Sequence, residues 1–252
     1  VLLMLAVALA CYREFAKATG LFREPAISAI VVVCSAAMAF AALDNRFAMF
    51  TGVPVIGAVA IAVVALGRDQ PKGYLQRVAL GVVALVLVVG GPSYVGMLTA
   101  DGRARSIILM VLLAVSLSDV SAYVVGKTLK GPKLCPRTSP NKSVSGAVGA
   151  LVLTAAFVVL VGSFVFAGGP MSRPGPLVGL GVGVALAAQL GDLVLSAIKR
   201  DVGIKDFGTM LPGHGGLLDR VDSLVLVPPV TYYTVAYFGG VGIGAAERIF
   251  TG

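Results

Sequence analysis

The chain predicts an all-α, polytopic transmembrane helical bundle of about eight spans with a polar funnel facing the cytoplasm. Three observations predict it. Hydrophobic residues make up 58% of 252 and charged residues 13%, whereas soluble domains are about one quarter charged and a soluble core of this size could not hide so much apolar surface. The apolar residues come in blocks long enough, or nearly, to cross about 30 Å of hydrocarbon. Finally, Lys and Arg alternate between loops, fifteen against five. Barrel strands would instead show short alternating segments.

Taken in order, Val1–Cys11 reads as the end of one apolar block. It lacks the basic flank of a cleaved leader and is followed by more spans. The blocks Ile27–Leu43, Gly52–Gly67, Val78–Leu98, Ser106–Gly126, Gly146–Gly168 and Pro174–Ile198 follow, and Asp222–Ala246 is a last block interrupted by Pro228-Pro229. The odd-numbered loops, Tyr12–Ala26, Arg68–Arg77, Lys127–Ser145 and Lys199–Arg220, hold 3, 3, 5 and 4 basic residues. The even-numbered ones hold 1, 2, 1 and 1. The positive-inside rule places the odd loops in the cytoplasm, where they would attract anionic lipid headgroups. Because the net charge of +8 follows membrane sidedness in this way, it does not point to nucleic acid.

Cys11, Cys34 and Cys135 have neither metal-ligand spacing nor a disulfide framework. Gly175, Gly179 and Gly183 recur every four residues, as do Gly240 and Gly244. Such stripes let membrane helices approach closely, here between spans of one chain or at a dimer seam.

Most spans carry no ionisable residue, but Asp119 and Asp192 lie inside two of them. A carboxylate at membrane depth normally faces a cavity or a partner and marks function. Both spans run toward the cytoplasm in this topology. At 1.5 Å per residue each carboxylate lies about 11–12 Å below the Lys127 or Lys199 end of its helix. Asp192, Ser196 and Lys199 share a helical face, and Asp119, Tyr123 and Lys127 lie along another.

The segment Ser196–Ser223 leaves the Asp192 helix and gathers four of the twenty basic residues, four of the twelve acidic ones and the single His of the chain. Asp219 and Asp222, three apart, would point the same way on a helix. With Asp192 they give three carboxylates near one membrane face, a hard-oxygen set that suits Mg2+ with substrate phosphates. Lys199, Arg200, Lys205 and Arg220 surround them, as expected for phosphoryl or nucleotidyl transfer. Gly213, Gly215 and Gly216 flank His214 and would let backbone amides approach phosphates. A phosphate nucleophile is already ionised near neutral pH, so His214 is expected to contact or orient rather than act as a base. Lys133–Ser143, with Lys133, Ser139, Asn141 and Lys142, is expected to be a stiff non-helical crossing that grips a nucleotide or lipid phosphate.

At these residues the chain resembles the phosphatidate cytidylyltransferases (CDP-diacylglycerol synthases). The family signature falls on Ser196, Lys199-Arg200, Lys205-Asp206, Pro212, His214-Gly215-Gly216, Asp219-Arg220 and Asp222. Ser118–Tyr123 and Ser139–Ser143 are similar to two further family stretches, with Val120-Ser121 where the family has Thr-Gly. The resemblance implies conversion of phosphatidic acid and CTP to CDP-diacylglycerol and pyrophosphate. It also implies a divalent cation, Mg2+, with a second cation left open, and metal ligands at Asp192, Asp219 and Asp222. Lys199, Arg200, Lys205, His214 and Arg220 are the further catalytic candidates. Asp119, Tyr123, Lys133, Ser139, Asn141, Lys142, Ser196, Gly215 and Gly216 are the substrate-binding candidates. A homodimer in the bacterial cytoplasmic membrane, its site open to the cytoplasm, completes the expectation. Residues 1–104 would supply N-terminal spans, and 105–252 the catalytic region.

Three other readings compete. An ion-coupled transporter fits mid-membrane aspartates and glycine-broken helices, but it leaves the charge-dense inner loop without a purpose. A polyprenyl-phosphate sugar-phosphate transferase shares acidic, metal-dependent chemistry but not the His-Gly-Gly run. Asp101–Arg105, DGRAR, is only superficially similar to the CDP-alcohol phosphotransferase motif.

Overall fold

The computed structural model describes residues 1–210 and 215–239. Pro212, Gly213, His214, Gly240 and Gly244 lie outside the described residues. The described chain is helical apart from its connections and one small hairpin. Its elements are α1 (Leu2–Thr19), α2 (Pro25–Leu43), α3 (Phe47–Leu66), α4 (Tyr74–Val83), a π-helical stretch (Ala84–Gly90), α5 (Gly91–Leu98), α6 (Ala104–Leu129), β1 (Lys133–Cys135), β2 (Ser139–Ser143), α7 (Val144–Val165), α8 (Pro174–Asp201) and α9 (Val227–Gly239).

Among the described residues, six helical segments have the length and apolarity to cross a membrane: α2, α3, Tyr74–Leu98, α6, α7 and α8. Two of the expected blocks take another form. α1 is 18 residues long but carries Arg13, Glu14 and Lys17 in its second half. α9 is described over 13 residues and starts at the proline pair instead of being broken by it. Pro228 and Pro229 occupy its first turn, where their missing N–H groups leave no intrahelical bond unmade.

The chain packs as two compact units. In the first, α1 to α4 and most of α5 pack with the signature segment Val202–Val221. Its π stretch ends two residues before Pro92, where a regular turn would press the proline ring on a carbonyl; the wider turn relieves that clash. One face of α3 leaves Val55, Ile56, Val59 and Val63 at least 60% exposed. An apolar face of that size is what lipid covers.

In the second unit, α6, α7, α8 and α9 pack together and β1 pairs antiparallel with β2. The expected non-helical crossing is therefore a hairpin, with Lys133 opposite Ser143 and Cys135 opposite Ser139. Ser143 closes β2 and caps α7, its Oγ accepting from the Gly146 N–H at 3.2 Å, one of the donors a helix start leaves without a partner. Gly146 also lets α7 approach α6, where an added Cβ would meet the Gly126 Cα at 3.2 Å. The 28 residues of α8 span about 42 Å, more than the hydrocarbon thickness, so its Lys199-Arg200 end can reach the headgroup level. In the 175/179/183 stripe only Gly183 meets a neighbour, Val230 of α9; Gly175 and Gly179 face open space.

DGRAR proves to be a helix entry. The Asp101 carboxylate accepts from the Arg103 backbone N–H at 2.8 Å and from its guanidinium at 3.1 Å. Burial alone would raise the Asp101 acid, but these bonds and the Arg103 charge outweigh it and hold the group below its ordinary value. The Arg103 guanidinium also lies 5.3 Å from the Phe166 ring centre.

Candidate functional site

In the second unit, the aspartates of α6 and α8 converge with the turn that leads into α9. Asp192 and Ser196 are one turn apart on α8, and the Ser196 hydroxyl donates to Asp192 Oδ1 at 3.0 Å. The other carboxylate oxygen of Asp192 holds the Lys142 ammonium of β2 at 2.6 Å. Lys142 also donates to the Gln189 carbonyl at 3.4 Å, while the Gln189 amide donates to the Ala147 carbonyl at 3.3 Å and ties α8 to α7. Lys199, only 8% exposed, lies 3.7 Å from the Asp222 carboxylate. The buried Ser223 hydroxyl donates to Asp119 at 3.2 Å. Asp222 thus lies within electrostatic reach of Asp192, Lys199 and Asp119.

A backbone contact fixes this convergence. Gly191 directly precedes Asp192, and an added Cβ there would lie 2.7 Å from the Asp222 carbonyl oxygen. Glycine is required because the turn carrying Asp222 rests on the helix backbone itself.

In the first unit, the signature loop is ordered by two carboxylates. Asp219 Oδ2 accepts from the backbone N–H groups of Phe207 at 2.8 Å and Gly216 at 3.1 Å. Glu14, on the buried face of α1, accepts from Leu217 at 3.0 Å and Leu218 at 2.8 Å. Gly215 has φ +82°, a conformation open to glycine, and a Cβ there would stand 3.5 Å from Asp219 Oδ2.

The expectation that Asp219 and Asp222 share a helical face is corrected. Asp219 lies in a turn, and Asp222 opens a short 3-10 turn, Asp222–Leu224. The Gly-Gly-Leu-Leu-Asp-Arg stretch bends around the carboxylates of Glu14 and Asp219 and never enters a helix, so the i, i+3 rule does not apply. Tyr123 is 66% exposed, with Lys127 over its ring at 5.6 Å. Lys133 and Asn141 are exposed on the hairpin, and Ser139 is half-buried there. Arg200, Lys205 and Arg220 are exposed. His214 is outside the described residues. Among the described residues, no group of three or more His, Cys, Asp or Glu is arranged to hold a metal.

Sequence reasoning missed Glu14, Gln189, Gly191 and Ser223. Glu14 alone left a signal: it sits three residues after Cys11 and beside Phe15, on the apolar face of its helix.

Comparison with known proteins places the chain. The cytidylyltransferase family model matches residues 1–238. A Brucella abortus protein named phosphatidate cytidylyltransferase is 36% identical over 198 residues, covering 78% of this chain and 68% of its own. A Mycobacterium bovis protein of the same name is 38% identical over 159 residues, 63% of this chain and 51% of its own. An Escherichia coli protein named uncharacterized protein YnbB is 33% identical over 204 residues, 77% of this chain and 65% of its own. The chain thus aligns with between half and about two thirds of the length of these relatives. With its signature residues and its membrane-spanning helices on the same chain, the protein belongs to the cytidylyltransferase family.

Proposed function

We propose that the chain transfers a cytidylyl group from CTP to phosphatidic acid, forming CDP-diacylglycerol and releasing pyrophosphate. The observation that carries this reading is the cluster of Asp119, Asp192 and Asp222 with Lys142 and Lys199 at one end of α8. The names of the Brucella and Mycobacterium relatives supply the substrates. In the reaction a phosphatidate oxygen attacks the α-phosphorus of CTP in line, the new P–O bond forms, and the bond to the β-phosphate oxygen breaks as pyrophosphate leaves.

The donor set fits Mg2+. Asp192 and Asp222 offer hard oxygens, and this ion is usually held by one or two carboxylates with waters and substrate phosphates instead of a complete protein cage. Bound there, it would offset the repulsion between the two substrates' phosphates. Lys142 and Lys199 hold the carboxylates in place before substrate arrives and are positioned to meet incoming phosphate charge. Ser196 and Ser223 fix the rotamers of Asp192 and Asp119 through their hydroxyls. For Lys205, Arg200, Arg220, His214 and Asp219 the reading rests on their places in the family signature. A site open to the cytoplasm follows from the loop charges, and a homodimer from the family resemblance.

The test incubates membranes containing the protein with labelled CTP, Mg2+ and phosphatidate. Lipid-soluble label that forms only with all three supports the reading. Absence of label under those conditions overturns it, and solute accumulation in sealed vesicles without label transfer would favour a transporter.

A further inference from the structure

We propose that Glu14 is a positioning residue for the transfer reaction, holding the signature loop in its working conformation through backbone amides. The role rests on the reaction proposed above. Glu14 lies far upstream of the family signature and is 7% exposed. Its two oxygens take the consecutive N–H groups of Leu217 and Leu218, 203 and 204 residues away in sequence. The loop is built around this carboxylate. A Cβ at Gly208 would stand 2.8 Å from its Oε1, and one at Gly216 would stand 2.5 Å from its Oε2. The two glycines therefore admit it from both sides. The Phe15 ring, next along α1, meets the Phe207 ring at 5.9 Å. Leu218 is fully buried.

A buried carboxylate is an expensive way to fill space, since an apolar side chain would pack without the cost of desolvating a charge. What it offers in return is direction. Two adjacent amides can point at one carboxylate in only a narrow range of backbone conformations. The residues that follow, Asp219 and Arg220, inherit their placement from that geometry. Asp219 completes the closure by accepting from Phe207 and Gly216. The same loop, through Phe207–Met210, borders a cavity of about 310 Å³ that Arg13, Glu14 and Lys17 of α1 also line. Releasing Glu14 would thus disturb signature residues and cavity together. Because misplacement by about 1 Å costs on the order of 100-fold in rate, the carboxylate, with both oxygens committed to backbone amides, should matter to turnover through the loop it holds.

The experiment uses the full chain in membranes and compares Glu14→Gln with Met38→Ala. Met38 is fully buried in α2, so its truncation lowers stability without removing an acceptor from the loop. In E14Q one oxygen becomes an NH2 group that faces an amide donor. The expected result is at least tenfold faster hydrogen exchange in peptides covering Leu217 and Leu218. With it, kcat/KM for CTP should fall at least tenfold per folded enzyme, while M38A melts lower but keeps its kcat/KM. If E14Q does not accumulate, Gly208→Ala decides by the same two readouts, since it keeps the carboxylate and displaces the loop it holds. Unchanged exchange, or faster exchange with kcat/KM within twofold of wild type, overturns the proposal. An inert wild type would instead sink the reaction reading, and this role with it. An active wild type beside a kinetically silent E14Q sinks the Glu14 role alone.

Discussion

Replacing Gly191 by Ala adds one methyl group and no charge, yet it should cripple the site. The new Cβ would lie 2.7 Å from the Asp222 carbonyl oxygen and 3.6 Å from the Ser223 carbonyl oxygen. Ordinary contact begins near 3.4 Å, so the turn or the helix must give by about 0.7 Å. No flexible side-chain end can absorb the shift, because the obstructing atoms are backbone. The strain should lower stability by about 1–3 kcal/mol, the range for overpacking. A displacement of that size moves Asp222 relative to both Lys199 and Asp192. Misplacements of about 1 Å cost on the order of 100-fold, so kcat/KM for CTP should fall about 10- to 100-fold, or about 1.4–2.7 kcal/mol of transition-state stabilisation. The assay is label transfer from CTP to phosphatidate, with thermal unfolding measured on the same preparations. Gly179→Ala on the same helix is the internal control. Nothing lies within 4 Å of a Cβ there, so transfer should match wild type. A G191A protein with kcat/KM within twofold of wild type would refute the claim that the Asp222 turn must rest on the α8 backbone.

Three further predictions probe other parts of the site. Lys142→Met removes the ammonium 2.6 Å from Asp192. The pair is partly exposed, so the thermal midpoint should barely move, while kcat/KM falls about 10- to 100-fold by the scale of one lost charge-assisted contact; Lys142→Arg should recover part of it. Asp219→Asn keeps a carbonyl oxygen that can still accept from Phe207 and Gly216, so hydrogen exchange in the 207–219 loop should stay closer to wild type in D219N than in D219A. Equal loosening in both would contradict the backbone role of Oδ2. Asp101 is held below its ordinary value, so its contribution to stability is complete above about pH 4 and is lost as pH falls through the lower folded value. Asp101→Asn should therefore melt below wild type at pH 7, and the two should converge once pH has fallen through the lowered folded value, as followed by thermal unfolding across pH.

The spans were legible because hydrophobic length alone specifies them. The block Ile27–Leu43 became Pro25–Leu43, and Ser106–Gly126 became Ala104–Leu129. The shared face of Asp192, Ser196 and Lys199 was legible for a related reason, since the helical period is fixed once the helix is granted. The same rule misled at Asp219 and Asp222, where no helix forms. The hairpin was hidden because Lys133–Ser143 is polar on both faces and lacks the alternation that signals strands. Lys142 and Asp192 stand fifty residues apart in the chain, and no local pattern encodes their pairing. Glu14 falls inside the segment Tyr12–Ala26, which the loop charges mark only by its basic residues, although its position on the apolar face of α1 marks it as buried. Gly191 looked like any other small residue in a membrane helix, and its contact with the Asp222 turn appears only once that turn is placed.

The signature therefore does not encode a single task repeated at several positions. Asp192, Ser196 and Lys199 are spaced by the turn of α8, and that spacing would be needed by any side chains meant to act together on one helix end. Gly208, Gly215 and Gly216 are required by backbone geometry: two admit the Glu14 carboxylate and one adopts a positive φ. Asp219 spends one oxygen on amides of its own loop. A polar residue in such a run can thus serve by shaping the chain and not by meeting phosphate. The division is testable in kind as well as in degree. Changes at Asp192, Lys142 or Lys199 should alter catalysis while leaving amide exchange in the loop untouched, whereas changes at Glu14, Gly208 or Asp219 should alter both, with exchange responding even when no substrate is present.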